Sequence, residues 1–178
     1  MKKNIRIAVT FSAILVLIQI FPVSILNAQQ EFSCNIKGQA FKGLVKDAAL
    51  VVMNKEKVIQ LNVVDGEKIM YLYLKADKIK DLPATLKYID HNGENSLSPE
   101  SEIIWVPDGP ENPQWNAVEG KTLITEFNPE KKTISGTFEF KVEKFEYTSD
   151  ENQKRPSMDI TDGKFTNITY KDAIAQGK

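Results

Sequence analysis

The residues of this chain whose types and spacing could do chemistry fall in one segment, Trp105 to Trp115, with the sequence WVPDGPENPQW. Two tryptophans bracket Asp108, Glu111, Asn112 and Gln114, and Pro107, Pro110 and Pro113 stiffen the path between them. Flat aromatic faces beside carboxylates and amides suit a sugar ring, whose CH-rich face stacks while its hydroxyls hydrogen-bond, and they suit a protein partner equally well. A long irregular loop inside a compact domain is more often functional than ornamental, because something must hold its backbone. Trp105, Asp108, Glu111, Asn112, Gln114 and Trp115 are therefore the candidate ligand-binding residues. The competing account is structural: Trp105 follows Ile103 and Ile104 at a strand end and can plug a core, and Trp115 can anchor the loop.

Other chemistries find less in the sequence. Asp108, Glu111 and Asn112 offer hard oxygens, but calcium takes about six to eight such ligands and fewer than half are visible locally, so no metal is assigned. The one histidine, His91, sits in the polar stretch HNGEN and reads as a solvated turn residue. No G-x-S-x-G elbow accompanies it, and the nearest serines, Ser96 and Ser98, lie in the same segment. A single histidine and a single cysteine exclude the usual zinc ligand sets unless carboxylates supply most of the ligands. The glycines are spread singly along the turns, so no phosphate-cradling loop is present. A glycosidase needs two carboxylates at a defined separation in space, which sequence spacing does not reveal. No catalytic residue and no cofactor are assigned, and the chain is read as noncatalytic.

The start of the chain bears on where the protein acts. Lys2, Lys3 and Arg6 precede an apolar run from Ile7 to Ile20, and Asn27-Ala28 offers a small-residue processing point. This is the pattern of a secretory signal peptide over 1–28, the alternative being an uncleaved anchor as the sole membrane attachment. Cys34 is not an acylation site, since Glu31, Phe32 and Ser33 occupy the three positions where a lipobox would stand. As a lone cysteine it makes no internal disulfide and is expected as a small buried residue of the first strand, the alternative being an intermolecular disulfide.

Removing 1–28 leaves 23 − 3 = 20 Lys and Arg against 24 Asp and Glu, a net charge of −4. Arg155 is then the only arginine. That balance excludes nucleic-acid binding, which calls for basic patches and arginine forks, and leaves no polybasic segment for anionic lipid. Residues 29–178 suit one domain with a single core, expected as a monomer in the periplasm, at the outer membrane or secreted.

The elements that would position the loop are strands. The clearest is Lys131 to Tyr147, where Ile134, Phe138, Phe140 and Val142 share one parity and Thr137, Glu139, Lys141 and Glu143 the other. Gly136 falls on the apolar parity, permitting a bend or the close approach of a covering element. Beyond Glu143-Lys144 the apolar parity passes to Phe145 and Tyr147, predicting a β-bulge or a sharp strand bend. Upstream, Phe32–Ile36 and Gln39–Gly43 form a short pair. Ala48–Met53, Val58–Val64 and Lys68–Leu74 form a meander with a tight turn at Asp65-Gly66 and a central hairpin covered on both faces. Ala76–Leu82 suits one or two helical turns with Ile79 and Leu82 inward, ended by Pro83. Thr85–Ile89, Glu102–Val106, Leu123–Phe127 and Met158–Tyr170 complete the strands, and Lys171–Lys178 is expected to fray. The fold class is all-β, an antiparallel β-sandwich or flattened barrel of eight to ten short strands with a long Pro-rich loop.

Two stretches also carry a resemblance. Ile134, Ser135, Gly136, Thr137, Phe138 and Phe140, followed by Ile160, Thr161, Asp162, Gly163, Phe165 and Ile168, resemble the C-terminal half of a family of small β-rich domains in secreted proteins and lipoproteins of Bacteroidota-type bacteria. Gly38 and Phe41 give a weaker N-terminal echo. The resemblance implies an extracytoplasmic all-β domain and transfers no catalytic residue. Asp162-Gly163 itself reads as a turn or G1 bulge. The expectation is thus an exported noncatalytic binding or accessory module of the cell envelope, recognising a glycan or an envelope protein. Its rivals are an assembly subunit pairing through an edge strand such as Phe32–Ile36, and a β-sandwich hydrolase.

Overall fold

In the computed structural model the described residues are 29–53, 55–88, 99–145 and 154–173. The expected signal peptide, His91, Ser96, Ser98 and Tyr147 lie outside them. Ten strands follow in chain order: β1 (Glu31–Ile36), β2 (Gln39–Met53), β3 (Glu56–Asp65), β4 (Lys68–Lys75), β5 (Ala84–Lys87), β6 (Ser101–Val106), β7 (Trp115–Asn128), β8 (Thr133–Lys144), β9 (Ser157–Thr169) and β10 (Lys171–Asp172). Antiparallel pairing runs β1-β9-β8-β7-β6-β4-β3-β2, and β2 returns to β1. The all-β expectation therefore holds in the form of a closed eight-stranded barrel with two accessory strands. Closure pairs both edges of every ring strand over at least part of its length.

Local chemistry sets the hairpins. Lys37 (φ 51°) and Gly38 (φ 77°) both adopt positive φ and join β1 to β2 in the two-residue turn that matches strand twist. Gly66 (φ 62°) does the same service between Asp65 and Lys68, which pair directly. At the other end, the Asn128 side-chain carbonyl accepts the Lys131 N–H at 2.8 Å and shapes the turn into β8.

Inward residues of all eight ring strands make one core. Ile59, Leu61 and Val63 of β3 and Met70, Leu72 and Leu74 of β4 are fully buried. Beside them lie Ile103 of β6, Ile124 of β7, Ile134 of β8 and Ile160 of β9. Across β7, β8 and β9 the filling is aromatic, and each ring faces a glycine. Phe138 pairs with Gly163, Phe165 with Gly136, and Phe140 with Gly120. A Cβ on Gly163 would stand 2.4 Å from the Phe138 ring, and one on Gly136 would stand 2.7 Å from the Phe165 ring. The missing side chains are what let the rings lie flat on the neighbouring strand. The covering element expected over Gly136 is therefore Phe165.

Bulges hide much of this regularity in the sequence. Residues 161 and 162 stand opposite Glu139 with Asp162 at φ 52°, and Asn167 (φ 51°) makes a second bulge opposite Ser135. The Asp162 carboxylate accepts from Asn35 Nδ2 at 2.8 Å, and the Ser135 hydroxyl accepts the Asn167 N–H at 3.0 Å while donating to Glu126. Val118 and Thr125 are extra residues in β7, and Lys46 in β2. For this reason the strands are longer than expected: β2 joins two predicted strands, and β7 begins eight residues before Leu123. β7 also divides its partners, pairing with β6 at Trp115 and Asn116 and with β5 at 121–124. A buried hydrogen bond of 2.6 Å between the hydroxyls of Ser101 and Thr122 ties β6 to β7 where β5 parts them.

Several expectations are corrected. β1 is not an edge strand, because β9 and β2 flank it on both sides. β8 stops at Lys144 without a parity-switching bulge, leaving Phe145 at the surface. The helical turn shrinks to a 3₁₀ turn at Ala76–Lys78, and Leu82 is 47% exposed while Ile79 packs on the core. The outer face of β4 is half-buried at Ile69, Tyr71 and Tyr73, so the central hairpin is not covered on both sides. Lys171 and Asp172 do not fray: they pair in parallel with Ala49 and Leu50 of β2, and Lys171 bridges Asp47 at 2.9 Å. No helix among the described residues is long and apolar enough to cross a membrane.

Cys34 occupies the expected place, buried on β1. Burial pushes its thiol up to about 12 from an ordinary 9.0. The folded chain then holds a proton that the unfolded chain loses, so this contribution is intact below about pH 9 and declines as pH rises towards 12. Urea denaturation as a function of pH should show stability falling above pH 9 by up to about 1.4 kcal/mol per pH unit from this group. Burial raises Tyr73 and Tyr170 as well, so the Cys34→Ala difference isolates the thiol; an identical alkaline slope in that variant would refute the assignment.

Candidate functional site

Chain direction decides what gathers at each end of the barrel. The β1–β2 and β3–β4 turns, the β6–β7 loop and the start of β9 share one mouth, because consecutive ring strands alternate in direction. The candidate loop is the β6–β7 connection, so its neighbours are the tips of hairpins distant in sequence.

Trp105 is the penultimate residue of β6, Trp115 opens β7, and the two stand directly opposite in register. Both turn into the barrel, 4% and 8% exposed, and belong to the core cluster. The Phe41 ring meets Trp105 edge-on at 5.2 Å and 76°. The Lys37 ammonium lies over the Trp115 ring, 5.5 Å from its centroid. Positive φ at Lys37 and a hydrogen bond from its N–H to Asp159 O at 3.2 Å hold the tip of that hairpin in place.

The six candidate residues divide into two groups. Trp105, Asp108 and Trp115 line a cup of about 340 Å³ at the mouth. Glu111 and Asn112 lie on an exposed turn that bonds to itself: Asn112 donates its side-chain amide to Asp108 O at 2.6 Å and its N–H to Gly109 O at 3.1 Å. Gln114 donates to Asn116 Oδ1 at 2.9 Å, and its carbonyl accepts the Phe145 N–H at 2.7 Å. Asn112 and Gln114 thus serve local geometry, and Glu111 is exposed on the same turn. Among the described residues no group of three or more His, Cys, Asp or Glu side chains is arranged to hold a metal ion.

The rest of the cup comes from elsewhere. Ile36, Phe41 and Met158 complete an apolar lining, with Lys37, Gln39 and Lys68 as its polar members beside Asp108. Sequence reasoning missed them because each is an ordinary hairpin or strand residue until the ring closes. The paired turns at Lys37-Gly38 and Gly66 were the available signal, since alternating strand direction brings both to the end where β6 finishes.

Family models, curated proteins and solved structures yield no match to this chain. The site must be judged on its chemistry. An apolar floor with two ammonium groups, one carboxylate and one amide at its border can seat a small polar ligand with one apolar face. The tryptophans present little ring surface, and because Lys37 covers Trp115, contact with that ring requires the lysine side chain to move.

Acrylamide quenching of tryptophan emission should therefore be weak in the unmodified protein. Lys37→Ala should raise the quenching constant about two-fold or more with little loss of stability, as the exposed cation–π contact contributes only about 0.5–1 kcal/mol. Strong quenching before the substitution would show that the tryptophans do not sit as described.

Proposed function

We propose that this protein is an exported, noncatalytic binding module of the bacterial cell envelope, and that the barrel mouth is where it takes a saccharide. The observation that carries the reading is the cup itself: tryptophan and phenylalanine rings at its floor with an amide, a carboxylate and two ammonium groups at its border. That mixture matches a ring with one CH-rich face and a rim of hydroxyls. At about 340 Å³ the cup sits at the small end of ligand sites, suiting one or two sugar rings and not a long chain lying flat. Export is supported by the Lys2-Lys3-Arg6 and Ile7–Ile20 pattern, and an envelope role by the resemblance of the β8 and β9 sequences to secreted β-rich domains.

A second reading, assembly through strand pairing, is favoured by one observation. Among the described residues, the outer edge of β2 beyond the stretch that β1 covers has only β10 and Ala173 beside it, and Leu44, Val52 and Met53 of that strand are exposed. The hydrolase reading calls for two carboxylates facing across a cleft, whereas the mouth is lined by one, Asp108.

The test is calorimetric titration of the protein with mono- and disaccharides, neutral and anionic, followed by the exposed variants Gln39→Ala and Lys68→Ala. At least one sugar should bind saturably and perturb tryptophan emission, and each substitution should weaken it about three- to ten-fold. If no sugar binds, or if binding survives both substitutions unchanged, the mouth is scaffold and the β2 edge becomes the leading surface.

A further inference from the structure

A second cavity lies on the outer wall, away from the mouth, where β3, β4 and β6 run side by side. It has a volume of about 200 Å³ and is walled by Val58, Leu74, Ile104 and Pro99, with Tyr73 beside Glu102. Tyr73 and Glu102 are direct partners across β4 and β6. Tyr71 stacks on Tyr73 at 6.4 Å and 27°, which fixes the phenol ring against the wall.

The charges around this cavity are unequally satisfied. Lys75, almost fully buried, gives its ammonium to Glu56 at 2.9 Å. Glu100 accepts the Lys87 N–H at 3.2 Å and meets the Lys78 ammonium at 3.6 Å. Glu102 differs from both. Among the described residues no ammonium and no hydrogen-bond donor meets its half-buried carboxylate. Burial raises its carboxyl above the ordinary range, as expected of a charge taken from water without compensation. An uncompensated carboxylate on an apolar wall is costly to keep, and an incoming cation with an apolar stem offsets that cost.

We infer that this outer-wall cavity is a binding site for a primary alkylammonium, with Glu102 receiving the ammonium and Val58, Ile104 and the Tyr73 ring receiving the aliphatic stem. The cavity is too small for a folded partner and of the right order for a stem of about four or five carbons. Carboxylate and aromatic face together are the pairing that ammonium groups seek, one by charge and the other by its π-surface. The site is independent of the saccharide reading, and either can fail alone.

Two-dimensional NMR on isotopically labelled protein, titrated with n-butylammonium chloride at constant ionic strength, tests this directly. Saturable shifts should be centred on Val58, Tyr73, Glu102 and Ile104, while n-butanol, with the same stem and no charge, should bind about ten-fold more weakly or not at all. Glu102→Gln should weaken n-butylammonium by about ten-fold while raising the urea midpoint, because it removes an unpaired half-buried charge; a merely structural glutamate would lower that midpoint on replacement. N-acetyl-lysine amide should compete if the source is a lysine side chain, whereas failure to compete would point to a free amine. Absence of saturable shifts, equal binding of n-butanol, or undiminished binding to the Glu102→Gln variant would overturn the assignment.

Discussion

Phenylalanine seated on glycine across neighbouring strands is the constraint on which the rest of this barrel depends. Eight antiparallel strands enclose an interior just wide enough to be filled by side chains, and filling it requires large residues that do not force the strands apart. Along β7, β8 and β9 the rings of Phe138, Phe140 and Phe165 meet that requirement by lying over Gly163, Gly120 and Gly136. Each ring occupies the volume its partner's side chain would have taken. Phe32 on β1 stands 5.2 Å from Phe138, so the aromatic packing reaches the strand that closes the ring. Bulges at Asp162 and Asn167 flank the Phe138–Gly163 and Gly136–Phe165 pairs and keep the inward residues of β9 in step with those of β8.

The mouth follows from that closure. Once β1 lies between β9 and β2, the Lys37-Gly38 tip reaches the end where β6 gives way to β7, and Lys37 lies over Trp115. The loop between the tryptophans is then short work for its own side chains, with Asn112 and Gln114 spent on backbone and neighbour. What faces solvent at this end is a cup assembled from three separate connections and the start of β9. The outer wall follows equally, since β3, β4 and β6 are neighbours on which Gln60, Tyr73 and Glu102 stand in register, with Val58 opposite Lys75 at the next outward position.

Period-two patterning made the strand content legible wherever the pleat is uninterrupted. The register of Phe138, Phe140 and Val142 could be read directly, and so could the hairpin turns at Lys37-Gly38 and Gly66. Patterning failed where a bulge inserts a residue and reverses parity, as at Val118, which concealed half of β7, and at Lys46, which split β2 in two. It failed again where a polar residue is satisfied inside, as Thr122 is by Ser101. The candidate site was half legible. Trp105, Trp115 and Asp108 announce themselves by type and spacing, but Phe41, Lys37, Lys68 and Met158 join them only through ring closure, a property of long-range pairing that no local window contains. Glu102 was invisible for a different reason: a glutamate alternating with Ile103 looks solvated until its neighbours' charges are known to be spent elsewhere.

The most direct measurement of the central claim is a double-mutant cycle on Phe138 and Gly163, read by urea denaturation. Gly163→Ala alone should destabilise by about 1–3 kcal/mol, because the added methyl meets a ring with no room to retreat. Phe138→Ala alone should destabilise by about 3–5 kcal/mol. In the Phe138→Ala background the glycine substitution should become nearly harmless or stabilising, giving a coupling of at least about 1 kcal/mol. Strict additivity of the two substitutions would mean that ring and glycine do not share the same space, and the account of how this barrel is filled and closed would fall with it.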